Sequence, residues 1–223
     1  MRMRKKKNGA ARIEACLEIL ITDIDNLKKD PQYCFPVKQP LHLEIGCGKG
    51  NFACGIAGAN PNINLIAMEK VPDVACLALE KAMKCTSERN DNLRFLIGDA
   101  KNLSEWFPRA SIDCIYLNFS DPWPKARHAK RRLTYQAFLE LYRYLLVPNG
   151  VLKFKTDNEG LFDFSVEEFK AFGLEIEWIT RDLHASEHNN GNIMTEYEEN
   201  FSSKGQPIYS AWVRFPDQKE SEK

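Results

Sequence analysis

The chain has 223 residues, enough to bury one α/β core, and 43% of them are hydrophobic. Its 31 Lys+Arg balance 31 Asp+Glu, so bulk charge cannot draw it to nucleic acid or an anionic membrane, and any phosphate recognition must come from local patches. Seven cysteines without a C-x-x-C pair exclude a complete disulfide framework and read as free thiols of a reducing cytosol.

The first residues are basic: Arg2, Arg4, Lys5, Lys6, Lys7 and Arg12 precede any acid. They read as a solvated start or as a nucleic-acid arm. No signal-peptide core follows and no apolar run is long enough to span a membrane, so a cytoplasmic protein is expected. Ile13, Leu17, Leu20, Ile21, Ile24 and Leu27 repeat at helical spacing and predict one amphipathic helix. Pro31, Pro36 and Pro40 mark a linker.

Strands and helices then alternate. Strands are predicted at 41–45, 64–69, 93–97, 112–118, 151–155, 174–180 and 208–215, with helices at 51–60, 72–84, 133–146 and 161–172. The pattern predicts a doubly wound, mostly parallel α/β sheet of seven strands, preceded by a basic arm and a helix. The expected organisation is an arm, helix and linker over 1–40, one domain over 41–216 and a polar tail over 217–223.

The first strand runs into a glycine turn, with Gly46, Gly48 and Gly50 at alternate positions and Glu44 just ahead of them. Glycines there permit positive φ and a close ligand approach. A dinucleotide fingerprint would place its third glycine at position 51, which is Asn51. A pyrophosphate has little use for Glu44, whereas S-adenosylmethionine carries an ammonium and a positive sulfur. The pattern E-x-G-x-G-x-G resembles motif I of class I methyltransferases. Glu69 ends the second strand, where an acid commonly binds ribose hydroxyls, and Asp99 follows the third.

The fourth strand leads into Asn118-Phe-Ser-Asp-Pro-Trp-Pro-Lys-Ala-Arg-His-Ala-Lys-Arg-Arg-Leu133. Two prolines around Trp123 stiffen the segment beside Asp121. Lys125, Arg127, Lys130, Arg131 and Arg132, with His128 among them, make a plausible phosphate-contact surface.

This loop is similar to the signature of the bacterial tRNA (guanine-N(7)-)-methyltransferases, the TrmB family. Phe154-Lys155-Thr156-Asp157-Asn158 and the stretch from Thr195 to Ile208 also resemble that family's segments. Lys7-Asn8-Gly9-Ala10 lacks the Pro and Trp that the family often shows near its start. The resemblance implies a Rossmann-like class I methyltransferase domain that methylates the variable-loop guanine of tRNA with S-adenosylmethionine. It implies Glu44, Gly46, Gly48, Glu69 and Asp99 as cofactor contacts, and Asp121 as the catalytic residue, also near the cofactor. Lys125, Asp157, Thr195, Glu196, Tyr197 and Glu198 would contact substrate, with Arg127, His128, Lys130, Arg131 and Arg132 against RNA.

Guanine nitrogen 7 already has a lone pair, so no strong general base is needed. Orientation can supply about 7–11 kcal/mol. A carboxylate can stabilise the charge that moves onto the purine, and Asp121, Asp157 and Glu198 remain candidates for it. His184 and His188 lie four apart with Asp182 near, too few ligands for a metal site, and no metal is expected. Two other functions stay open: methylation of an exocyclic amine, because Asp121-Pro122-Trp123 partly matches that motif, and a non-catalytic RNA-binding module.

Overall fold

The structure, a computed structural model, describes residues 8–84, 91–202 and 204–216. The chain divides into two compact units, the first running through Pro108 and including Ile193–Glu196, the second comprising Arg109–Asn192 and the chain from Tyr197. In order, the elements are α1 (Gly9–Glu14), α2 (Ile24–Lys29), β1 (Leu41–Ile45), α3 (Asn51–Ala59), β2 (Asn64–Glu69), α4 (Pro72–Lys84), β3 (Leu93–Ile97) and α5 (Leu103–Trp106). There follow β4 (Ile112–Asn118), α6 (Gln136–Leu145), β5 (Leu146–Thr156), α7 (Glu159–Ala171), β6 (Glu175–Thr180), α8 (Glu196–Ser202) and β7 (Tyr209–Arg214). The strands belong to a seven-stranded, mixed and mostly parallel sheet. This is the expected class I α/β architecture.

In the first unit the strand order is β3-β2-β1, all parallel, with Leu43 opposite Ile66 and Ala67 opposite Phe95. Parallel strands covered on both faces need near-continuous apolar runs, and β2 supplies one: Leu65, Ile66, Ala67 and Met68 are all buried. The Asn92 side-chain amide, also buried, donates to the carbonyls of Ala57 and Ile63 and so ties the end of α3 to the start of β2. The proline-marked linker is stitched to the sheet too, since the Asn64 side chain donates to Gln32 Oε1 and to the Val37 carbonyl.

The single helix expected between Ile13 and Leu27 is three pieces: α1, a 3-10 turn over Leu17–Ile19, and α2. Leu20 is extended and bridges Phe95, and the Ile21 N–H donates to the Phe95 carbonyl at 2.8 Å. Edge pairing to β3 thus overrides helical periodicity, and Asp23 restarts the helix as an N-cap by accepting from the Asn26 N–H. Of the basic start, residues 2–7 lie outside the described residues, as does the tail 217–223. Arg12 is not a free arm cation, because it grips Glu80 of α4 with two bonds of 2.6 Å.

In the second unit the order is β4-β5-β7-β6, with β4 and β5 parallel and β7 antiparallel to both neighbours. Phe162 and Phe169 of α7 pack on Phe154 of β5 with ring centroids 6.4 and 6.1 Å away. β5 begins five residues earlier than expected, at Leu146, and α6 begins three later, at Gln136, because a 3-10 turn over Ala126–Arg131 occupies the loop before it.

Candidate functional site

Motif I lies in the first unit. Gly46, Gly48 and Gly50 all have positive φ, at 81°, 58° and 82°. They do different work. A Cβ on Gly46 or Gly48 would meet nothing within 4 Å, so the ground above them is open to a ligand. A Cβ on Gly50 would lie 3.0 Å from the Ala78 Cβ, so this glycine lets α4 pack against the turn. Glu44 is buried at the end of β1. Glu69 accepts the Gly48 N–H at 3.1 Å and the Val71 N–H at 2.9 Å, joining the tip of β2 to the turn. Burial pushes the Cys47 thiol well above its usual range, and the nearby Glu44 and Glu69 carboxylates add to the shift. An open turn flanked by the acids Glu44 and Glu69 suits a ligand with an ammonium and a sulfonium. Asp99 caps the turn after β3, accepting the Lys101 N–H at 3.1 Å and pairing with Lys70 at 2.6 Å. Burial acts to raise its pKa, but Lys70 and the Lys101 N–H outweigh it and hold the carboxyl below the usual range.

The signature loop lies in the second unit. The Phe119 N–H donates to the Lys155 carbonyl at the tip of β5. Phe119 and Trp123 sit at φ 52° and 41°, left-handed conformations that a bulky residue adopts only when its surroundings impose them. Arg132 imposes part of this, as its guanidinium donates to the Pro122 carbonyl at 3.0 Å and the Trp123 carbonyl at 3.1 Å while lying over the Phe164 ring. Arg132, expected as an RNA contact, clamps the loop from within through these bonds. Arg131 lies over the Trp123 ring, 4.8 Å from its centre, and His128 meets the same ring edge-on. Asp121, Lys125, Arg127 and Lys130 are exposed, and Asp157 is half-buried at the tip of β5.

The Thr195–Glu198 stretch does not act as one surface. Thr195 is half-buried, and Glu196 pairs with Lys81 at 2.6 Å. Tyr197 is 61% exposed, and its ring lies nearly parallel to those of Phe119 and Phe201, with centroids 6.4 and 6.1 Å away. Glu198, expected as a substrate contact, is fully buried. One oxygen accepts from Lys155 at 2.6 Å, the other from His184 at 2.9 Å and Asn192 at 2.6 Å. Burial opposes its ionisation, yet Lys155, His184 and Asn192 together hold its pKa below the usual value. Sequence reasoning named Lys155 and His184 but did not join them, or Asn192, to Glu198; the available signal was a lysine inside the apolar run of β5. His188 packs between Trp178 and Trp212, 4.5 Å from each. Among the described residues no group of three His, Cys, Asp or Glu could hold a metal.

Residues 38–211 match a family model described as "Putative methyltransferase". A protein of Limosilactobacillus reuteri strain DSM 20016, named tRNA (guanine-N(7)-)-methyltransferase, is 46% identical over 96% of this chain and 100% of its own. Proteins of the same name from Geobacillus sp. strain WCH70 and Streptococcus uberis are 46% and 44% identical, over 97% and 94% of this chain and 96% and 97% of theirs. The chain belongs to the tRNA (guanine-N(7)-)-methyltransferase family. Solved structures share the fold of this family member: an antibiotic-related methyltransferase at TM-score 0.61 and 17% identity, covering 87% of this chain and 94% of that one, and an S-adenosylmethionine-dependent methyltransferase from Aquifex aeolicus at 0.54 and 14%, covering 94% and 99%. The cofactor of this methyltransferase is S-adenosylmethionine, and the open, acid-ringed glycine turn of the first unit fits it. No described helix is long and apolar enough to cross a membrane.

Proposed function

We propose that this chain methylates ring nitrogen 7 of a guanine in tRNA, the variable-loop guanine that its family resemblance implies, and does so in the cytoplasm. The observation that carries the reading is Asp121: an exposed carboxylate on a loop clamped by Arg132 and flanked by exposed cations.

S-adenosylmethionine supplies an electrophilic methyl group on a sulfonium. Glu44 provides a buried negative charge towards its positive end, Gly46 and Gly48 allow close approach, and Glu69 and Asp99 accept from its hydroxyls and adenine. The guanine needs no deprotonation, so the chain's task is to orient it and stabilise the positive charge that the ring acquires. Asp121 is assigned that stabilisation and a place beside the cofactor. Its exposure suits it to meet a base that must lie outside a stack to be reached. Asp157 stands at a neighbouring strand tip and contacts the substrate. Lys125, Arg127, His128, Lys130 and Arg131 contact the tRNA backbone, a salt-dependent contribution that positions rather than selects. Tyr197 offers a ring face for stacking.

The test is to incubate unmodified tRNA with S-adenosylmethionine labelled in its methyl group and identify the modified nucleoside. 7-Methylguanosine supports the reading. Label on an exocyclic amine, or none in the presence of tight RNA binding, overturns it.

A further inference from the structure

Ser120 stands next to Asp121 and has no part in the chemistry above. The residue is half-buried, but its hydroxyl oxygen is shut away from solvent and has no hydrogen-bond partner among the described residues. A hydroxyl left dry and unpaired is costly, so folded chains rarely keep one without a reason. Tyr142 is a second such case, but it is fully enclosed in the core, where no ligand reaches it.

Ser120 differs because it is partly exposed and because the backbone on both sides of it is fixed. Phe119, at φ 52°, is tied to β5 through the Lys155 carbonyl. Trp123, at φ 41°, is held by Arg132, which also takes the Pro122 carbonyl. Strained backbone of this kind persists only where its surroundings impose it, and it gathers at functional sites. With the backbone fixed, what Ser120 can still do is rotate about one side-chain bond between staggered positions. Its hydroxyl makes no bond inside the loop, so turning it outward breaks none.

Guanine presents two acceptors side by side on the edge that is methylated, N7 and O6. N7 takes the methyl group. O6 is then the atom that distinguishes guanine on this edge from adenine, which carries an amino group there. O6 calls for a donor, and Asp121 does not supply one, because a carboxylate only accepts. A lysine or arginine could donate, but a cation against O6 would oppose the positive charge that the ring acquires during transfer. A hydroxyl donates without that penalty.

We propose that Ser120 is a specificity-determining residue for the methylation: its hydroxyl turns out of the loop when the guanine arrives and donates to O6, beside the nitrogen that takes the methyl group. This deepens the proposed function and rests on it, because the donor has a purpose only if guanine is the base that meets Asp121.

The experiment uses the full chain, unaltered and as Ser120→Ala, with two tRNA substrates. One carries guanine at the methylated nucleotide; the other carries 2-aminopurine there, which keeps N7 and lacks O6. Single-turnover methylation with a labelled methyl group is followed for each pair, so that a slow substrate stays measurable, together with cofactor Kd and the urea midpoint. Ser120→Ala should slow methylation of the guanine tRNA about tenfold, the scale of losing one hydrogen bond and leaving its partner unpaired. On the 2-aminopurine tRNA it should change the rate by no more than about twofold, because the partner atom is already gone. Cofactor Kd should not move, and the urea midpoint should stay the same or rise, because the substitution removes an unpaired hydroxyl. Unchanged methylation of the guanine tRNA, or an equal loss on both tRNAs, overturns the contact with O6. A lowered midpoint overturns it too, by giving the hydroxyl a bond within the fold. If the unaltered protein methylates no guanine in tRNA, the proposed function fails and takes this contact with it; a protein that methylates guanine and is indifferent to Ser120→Ala retires the contact alone.

Discussion

Arg132 donates to the backbone carbonyl of Trp123 at 3.1 Å, and this bond separates the cations of the signature loop into two kinds. Arg132 acts inward on the loop, whereas Arg127 and Lys130 are exposed. Neutralising Arg127 and Lys130 to Gln should weaken tRNA binding and lower the log–log salt slope by up to about 0.9 for each phosphate no longer neutralised. Arg132→Gln should leave that slope nearly unchanged and reduce kcat, because it loosens the backbone that carries Asp121. Binding isotherms at several salt concentrations, alongside turnover, check both. An equal fall in slope for Arg132→Gln would make it a phosphate contact after all.

Asp121→Ala should lower kcat about 10²–10³-fold, the usual cost of removing one preorganised electrostatic group. Affinity for tRNA should change little, since phosphates dominate it, and the fold should survive, since the side chain is exposed. Asp121→Asn keeps the shape without the charge and should lose nearly as much. Near-normal turnover in the Asn variant would reduce Asp121 to a positioning role, and near-normal turnover in both would shift attention to Asp157.

Glu69 holds the Gly48 and Val71 N–H groups and is proposed to bind the ribose hydroxyls. Glu69→Ala should therefore weaken S-adenosylmethionine binding about tenfold or more, the scale of removing a hydrogen bond to a charged group. Isothermal calorimetry measures this directly, and an unchanged Kd would remove Glu69 from the site.

The three glycines of the turn should respond differently to alanine. Gly50→Ala combines a left-handed backbone with a Cβ 3.0 Å from Ala78, so it should cost about 1–3 kcal/mol beyond the strain of positive φ. Gly48→Ala carries the strain without the clash and should show more of its effect in cofactor affinity. Urea midpoints and cofactor Kd for the two variants test the contrast, and equal midpoints would mean that α4 moves aside.

Glu198 has its pKa lowered in the folded chain from an ordinary value of 4.5. A depressed carboxyl contributes stability that is present above 4.5 and lost as pH falls through the lower folded value. Unfolding free energy should thus drop on acidification below that point. Glu198→Gln should flatten the drop, because the amide does not titrate. Identical acid profiles for the two proteins would show that Glu198 does not contribute to it.

The sequence by itself determined the strands, the glycine turn and the acids at the strand tips. The Val/Ile/Leu-rich runs and Gly46, Gly48 and Gly50 encode local backbone preferences that need no partner to be read. The long signature around Asp121 likewise carried the family. Other features belong to tertiary structure alone, because they depend on residues distant in sequence. The helical periodicity of Ile13–Leu27 yielded to pairing of Leu20 and Ile21 with Phe95. Arg12, a member of the basic start in the sequence, became the partner of Glu80, 68 positions away. Arg132, one cation among five, became a clamp because Pro122 and Trp123 turn their carbonyls towards it. Glu198, grouped with Tyr197 by adjacency, is buried while Tyr197 is exposed, since consecutive helical residues face different directions and only packing decides which is buried.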